Sequence, residues 1–316
     1  MTRSLRILMT GLIDYAGLFP PAKLGMQDAV ETYNRSIVGE HEWMLGRFIC
    51  PVSRLGEFSH AAAALMPGTF ASSGYRETTA QRPPWRVSAL IDGDLLADID
   101  RIDEFNAHHS NPDQGLARVE MIELKVAKVG EIDDALDIIP DDIVPFFEFP
   151  VSCAGGGADC RGYVAALAGT GAAAKIRTGG VVGNAFPTCA EVSAFLHACA
   201  AASVPFKATA GLHHPIRACH KLTYEPDAQS CTMHGFLNLF IAAALVNAGK
   251  IDEARTIALL QAEDASEFKF ADAALTWRSW GLDSAQIALA REHFALCFGS
   301  CSFDEPLADL GTLGLL

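Results

Sequence analysis

Apolar residues in this chain gather into short runs, separated by stretches in which they recur every three or four positions. Runs bounded by Gly, Pro or acidic residues read as strands, and the longer striped stretches read as helices. Leu5–Ile13 is apolar enough for a first strand, although its spacing also admits a helix. Trp43–Cys50, Arg86–Ile91, Val119–Val126 and Val144–Phe149 supply strands two to five. Strands six and seven are the runs starting at Ala172 and Val204, and Phe294–Phe298 is the eighth. Helical stripes mark Met26–Val38, Ser53–Met66, a stretch ending near His108, one from Glu131, and Asp159–Leu167. After strand six, Thr188 and Glu191 have the spacing of a capping box, ahead of a stripe of Val192, Phe195, Leu196 and Cys199.

Eight strands joined mostly by helices predict an α/β fold, a (β/α)₈ barrel spanning residues 1–316 as one domain. An insertion of about 215–293 lies between strands seven and eight. Within it, Thr232–Val246, Ile251–Leu260 and Ser284–His293 predict helices, and Phe268–Trp280 a hairpin. Asp304–Leu313 is a closing helix. A doubly wound open sheet would carry a Gly-rich phosphate loop after strand one, and the sequence has none there. Pro67–Pro84 and the glycine-rich segment Gly155–Gly157 read as loops.

A hydrophobic content of 50% over 316 residues is ample for one large core. The net charge of −14 argues against nucleic acid or an anionic membrane as partner. The longest apolar stretch, Gly235–Val246, contains Asn238 and is too short to cross a bilayer. Met1–Thr10 has two arginines and no signal-type apolar core, and nine cysteines occur without a CxxC pair. The expectation is a cytoplasmic protein with reduced thiols and a small-molecule substrate, needing no cofactor unless a divalent metal ion is bound; assembly as a homo-oligomer fits as well.

The candidate chemistry starts from two lysines. Lys175 and Lys207 each end an apolar run that meets a Gly-containing loop, and one helix separates them. A β-α-β unit would set the two ammonium groups side by side at the strands' carboxyl ends. Repulsion and burial both disfavour charge, so one amine is expected to be partly neutral near pH 7. A neutral lysine amine attacks carbonyl carbon. By strand alternation, Lys175 shares a face with Arg177, Lys207 with Thr209, Glu123 with Lys125, and Glu148 with Phe146.

The segments Lys175–x–x–Thr178–Gly179, Pro187–Thr188–x–x–Glu191–Val192 and Phe206–Lys207–Ala208–x–Ala210–Gly211 resemble strands six and seven of the deoxyribose-phosphate aldolases. That resemblance implies class I aldolase chemistry on a (β/α)₈ barrel. Lys175 would form the Schiff base and Lys207 would tune its ionisation. Gly299–Ser300–Cys301–Ser302 is similar to that family's turn after strand eight, which helps hold the substrate phosphate.

On this reading the activity is a carbon–carbon lyase or aldolase acting on a small carbonyl compound with a carboxylate or phosphate. Glu148 or Glu123 would shuttle protons, and Arg177 would clamp the anionic group. Lys125 is a further candidate amine. Thr178, Thr209, Asp14, Tyr15, His213, Gly299 and Ser300 are candidate substrate contacts. Two alternatives stay open. His213, His214 and His234, with a carboxylate, are candidate ligands of a divalent metal ion in a lyase or hydrolase. The charged residues are alternatively a structural ion-pair network in a barrel that catalyses nothing. Cys301 has no histidine beside it in sequence and reads as a small buried thiol, and Asp304–Glu305 as an ordinary helix N-terminus.

Overall fold

A computed structural model describes residues 1–69, 82–151 and 159–316. Most of the Pro67–Pro84 loop and all of Gly155–Gly157 therefore lie outside the described residues. Eight parallel strands close into a barrel: β1 (Ile13–Tyr15), β2 (Leu45–Pro51), β3 (Trp85–Leu90), β4 (Ala117–Lys125), β5 (Val144–Glu148), β6 (Ala173–Arg177), β7 (Phe206–Thr209) and β13 (Ala295–Ser300). Strand β13 sits between β7 and β1. The fold is a (β/α)₈ barrel, as the alternation of runs predicts.

Connecting helices follow the stripes: α2 (Met26–Ile37), α3 (Leu55–Ala62), α4 (Leu95–His108), α5 (Gly130–Leu136), α6 (Cys160–Leu167) and α7 (Cys189–Ala201). The capping box of α7 is present, with Thr188 and Glu191 bonding each other's backbone amides. The first run differs from the strand expectation. Arg3–Met9 is a helix, α1, because Leu5, Leu8 and Met9 are buried at helical spacing. Gly11, at a φ of +57°, turns the chain into the short strand β1.

Between β7 and β13 the chain forms a hairpin, β8 (Ala218–Lys221) with β9 (Ser230–Met233), that sequence patterning does not reveal. Helix α8 (Phe236–Asn247) is buried from Phe236 to Val246. Its Asn238 amide donates to the carbonyls of Leu259 and Ala262, and its side-chain oxygen accepts from the Arg217 amide. That buried polar group is satisfied. After α9 (Glu253–Leu260), the expected hairpin is a three-stranded antiparallel sheet of β10 (Phe268–Phe270), β11 (Ala274–Trp277) and β12 (Trp280–Asp283). Helices α10 (Ser284–His293) and α11 (Asp304–Thr312) flank β13. Among the described residues no helix is long and apolar enough to cross a membrane.

Strand tilt and stagger position the candidate site. Paired residues in a parallel ladder share a face, so the row Lys125–Glu148–Lys175–Lys207–Cys297 runs around the barrel interior. The row also descends from the mouth. Lys125 is exposed, Glu148 is 7% exposed, Lys175 3%, and Lys207 fully enclosed. A second row, Arg177–Thr209–Gly299–Asp14, descends in the same sense from exposed Arg177 to enclosed Asp14.

Candidate active site

Those rows bring acids and bases into an alternating chain. Lys207 Nζ is 2.8 Å from Asp14 Oδ2 and 2.6 Å from Glu123 Oε1. Lys175 Nζ is 2.9 Å from Glu123 Oε2 and 2.6 Å from Glu148 Oε2, and Arg177 Nε is 3.0 Å from Glu148 Oε1. Glu123 therefore bridges the two lysines, and Ser88 on β3 donates to its Oε1 at 2.7 Å. Asp14 accepts from the Arg47 backbone amide at 2.8 Å and from the Cys297 thiol at 3.1 Å.

This pairing corrects the expectation of mutual repulsion. Burial alone disfavours the Lys207 ammonium, but attraction to Asp14 and Glu123 outweighs it and holds its pKa above the usual lysine range. Burial likewise opposes charge on Glu123, Asp14 and Glu148. Lys175 and Lys207 outweigh it for Glu123, Lys207 and Arg47 for Asp14, and Lys175 and Arg177 for Glu148. All three carboxyls are held below their ordinary range. Burial, with the Asp14 charge next, pushes the Cys297 thiol up to about 12. Lys207 is a charged anchor.

At the carboxyl ends of the barrel strands lies a cavity of about 380 Å³. Of the candidate residues, Lys175, Glu123, Lys125, Arg177, Thr209, His213 and Gly299 border it. Ile49, Leu90, Phe19 and Val181 give it apolar walls. Lys207 does not line it, and this overturns the expectation of two amines sharing one space. Asp14 lies beneath with Lys207, and Tyr15 is packed among Tyr33 and Phe48 and does not border the cavity. Glu148 borders an adjoining cavity of about 550 Å³ that shares Lys125 and Arg177.

Thr178 is a loop fastener and not a substrate contact. Its hydroxyl donates to the carbonyls of Thr209 and Ala210, where Ala210 has a φ of +62°. The neighbouring glycines are needed for close approach, since a Cβ on Gly179 would stand 2.9 Å from the Gly211 Cα. Ser300 is also buried, and its hydroxyl donates to the Ser302 carbonyl. One amide at the start of α11, that of Glu305, already donates to Ser302 Oγ, so the turn is less open to an anion than its composition implies.

The three histidines do not form one ligand set. His213 Nδ1 faces Glu305 at 3.4 Å, His214 Nδ1 faces Asp309 at 2.6 Å, and His234 Nε2 faces the Pro187 carbonyl at 2.8 Å. Among the described residues no three His, Cys, Asp or Glu side chains are grouped to hold a metal ion. Cys301 is a buried thiol, as expected, but sequence reasoning missed that it borders the cavity with its sulfur 3.8 Å from His213 Nδ1. Period-two alternation from Cys297 through Gly299 is the signal that places it there. No family model, curated protein or solved structure matches this chain.

Proposed function

We propose that the protein is a carbon–carbon lyase of the aldolase type, acting through a Schiff base on Lys175. Its substrate is a small carbonyl compound bearing a carboxylate or phosphate. The observation that carries this reading is the Lys175 amine, which borders a cavity at the strands' carboxyl ends with two carboxylates within 2.9 Å. Active sites of this fold lie at that end. The local resemblance to the deoxyribose-phosphate aldolases points to the same lysine.

Glu148, at 2.6 Å, is the nearest acceptor for the proton that Lys175 must lose before attack. The free amine adds to the carbonyl carbon, the carbinolamine loses water, and the resulting iminium draws electrons from the adjacent carbon–carbon bond. Lys125, Arg177 and His213 border the cavity in a chain of net charge −14, which supports an anionic substituent on the substrate. Arg177 offers the planar fork suited to it. Lys207 acts from below by fixing Glu123 against Lys175.

The test is reductive trapping. Borohydride added with pyruvate or dihydroxyacetone phosphate should leave a stable mass addition on Lys175, and Lys175→Met should abolish it. A wild-type protein that acquires no adduct from either compound rules the reading out. The complete pairing of the charged chain would then favour the second reading, a barrel whose ion network is structural.

A further inference from the structure

Schiff-base cleavage needs a second group, one that accepts a hydroxyl proton and later protonates carbon. The carboxylates beside Lys175 are poorly suited to it. Glu123 is held by Lys175, Lys207 and Ser88, and Glu148 by Lys175 and Arg177. Those contacts lower the basicity of both.

Another titratable group borders the same cavity, two strands around the barrel from Lys175. Cys301 follows β13, and His213 follows β7. His213 Nδ1 lies 3.8 Å from the Cys301 sulfur and 3.4 Å from Glu305 Oε2, while the Tyr224 hydroxyl is 3.7 Å from that sulfur. His214 is also near His213, with ring centroids 6.4 Å apart, and His220, stacked on His214 at 3.4 Å, feels the His213 charge as well. Burial disfavours the His213 imidazolium, but Cys301 and Glu305 outweigh it and raise its pKa to about 9. A cysteine sulfur that borders a cavity beside an imidazole nitrogen has a partner through which its proton can be exchanged.

We infer that Cys301 is the proton-transfer group at carbon in this cavity, with His213 and Glu305 as its positioning residues; the inference rests on the Schiff-base reading of Lys175. The Cys301 thiolate takes the proton of the substrate's β-hydroxyl. The carbon–carbon bond breaks, its electron pair becomes the enamine double bond, and the aldehyde fragment leaves. The Cys301 thiol then returns the proton to the enamine carbon, which regenerates the iminium and the thiolate. Water hydrolyses the iminium and restores Lys175. His213 and Glu305 end each cycle in the protonation state in which they began.

The experiment follows solvent deuterium entering the methyl group of pyruvate, beside borohydride trapping on Lys175. Wild type should do both. Cys301→Ala should keep the adduct and lose exchange by about 100-fold or more. If that variant loses its fold, Cys301→Ser provides the same comparison. His213→Asn should keep the adduct while moving the pH dependence of Cys301 alkylation by iodoacetamide upward, a shift that a merely structural role would not produce. Exchange persisting at the wild-type rate in a folded Cys301 variant overturns the inference and leaves the Schiff base standing. So does a wild type that traps pyruvate but exchanges nothing. No adduct in wild type removes the Schiff-base reading and this inference together.

Discussion

Lys175 and Lys207 are partners in register on neighbouring strands, each bound to Glu123, yet their surroundings differ. Lys207 is enclosed with Asp14, Glu123 and Cys297, and its amine touches no open space. Lys175 borders the cavity together with Lys125, Arg177, His213 and Cys301. Stagger makes the difference: each step along the row is also a step down the barrel. One rung of a staggered barrel can thus hold a structural cation and a chemically available one side by side. The sharpest way to break this distinction is Lys207→Met. It leaves Asp14 and Glu123 as buried charges deprived of their shared cation, a loss of about 3–5 kcal/mol. A urea midpoint no lower than that of Lys175→Met would mean the enclosed lysine is no anchor.

Glu123 joins the two regions, and Glu123→Gln should cost somewhat less, about 2–3 kcal/mol, because each lysine keeps another carboxylate. The sign of its pH dependence is fixed by the folded carboxyls, all held below their ordinary values of 3.8 for Asp14 and 4.5 for Glu123 and Glu148. The stability they contribute is present above those values and is lost as pH falls through the depressed ones. Wild type should therefore unfold progressively below about pH 4.5, and Glu123→Gln should show a shallower acid slope. Equal slopes in acid unfolding curves would remove Glu123 from the network's energetics.

Much of the barrel was legible because its signal is local. Seven of the eight strand runs lie within a few residues of the observed strands; the first was a helix, since Leu5, Leu8 and Met9 fit either period. The β8–β9 hairpin escaped because Cys219, His220, Cys231 and Thr232 show no clear apolar alternation. Side-chain facing was legible too: Glu123, Lys125, Lys175, Arg177 and Thr209 do border one cavity. Height was not legible, because stagger is a property of the closed sheet and leaves no mark on any single strand. That is why the sequence places Lys207 and Asp14 at the substrate while the structure encloses both. The Cys301–His213 contact joins residues 88 positions apart and is invisible for the same kind of reason.

Lys175→Met should be the milder lysine replacement. Glu123 keeps Lys207 and Ser88, and Glu148 keeps Arg177, so neither carboxylate is orphaned. The expected cost is about 1–2 kcal/mol in the same unfolding experiment, with every trace of borohydride trapping gone. A cost as large as that of Lys207→Met would place Lys175 energetically with the sealed network.

An effect no larger than that expected of Lys175→Met separates the two regions by pH alone. His213 is the mouth's titrating cation, and its folded pKa of about 9 stands above an ordinary 6.5. A histidine raised on folding contributes stability that is fully present below about 6.5 and lost as pH rises through the folded value. The alkaline loss should therefore develop between about pH 7 and 9, amount to roughly 1–2 kcal/mol, and vanish in His213→Asn. The sealed network offers nothing in this window, since its carboxyls titrate far below it and Lys207 and Cys297 far above it. Thermal denaturation at pH 7 and pH 9 in wild type and His213→Asn isolates the mouth. An alkaline loss of the same size in both proteins would assign it elsewhere and deny the His213–Glu305 pair its energetic role.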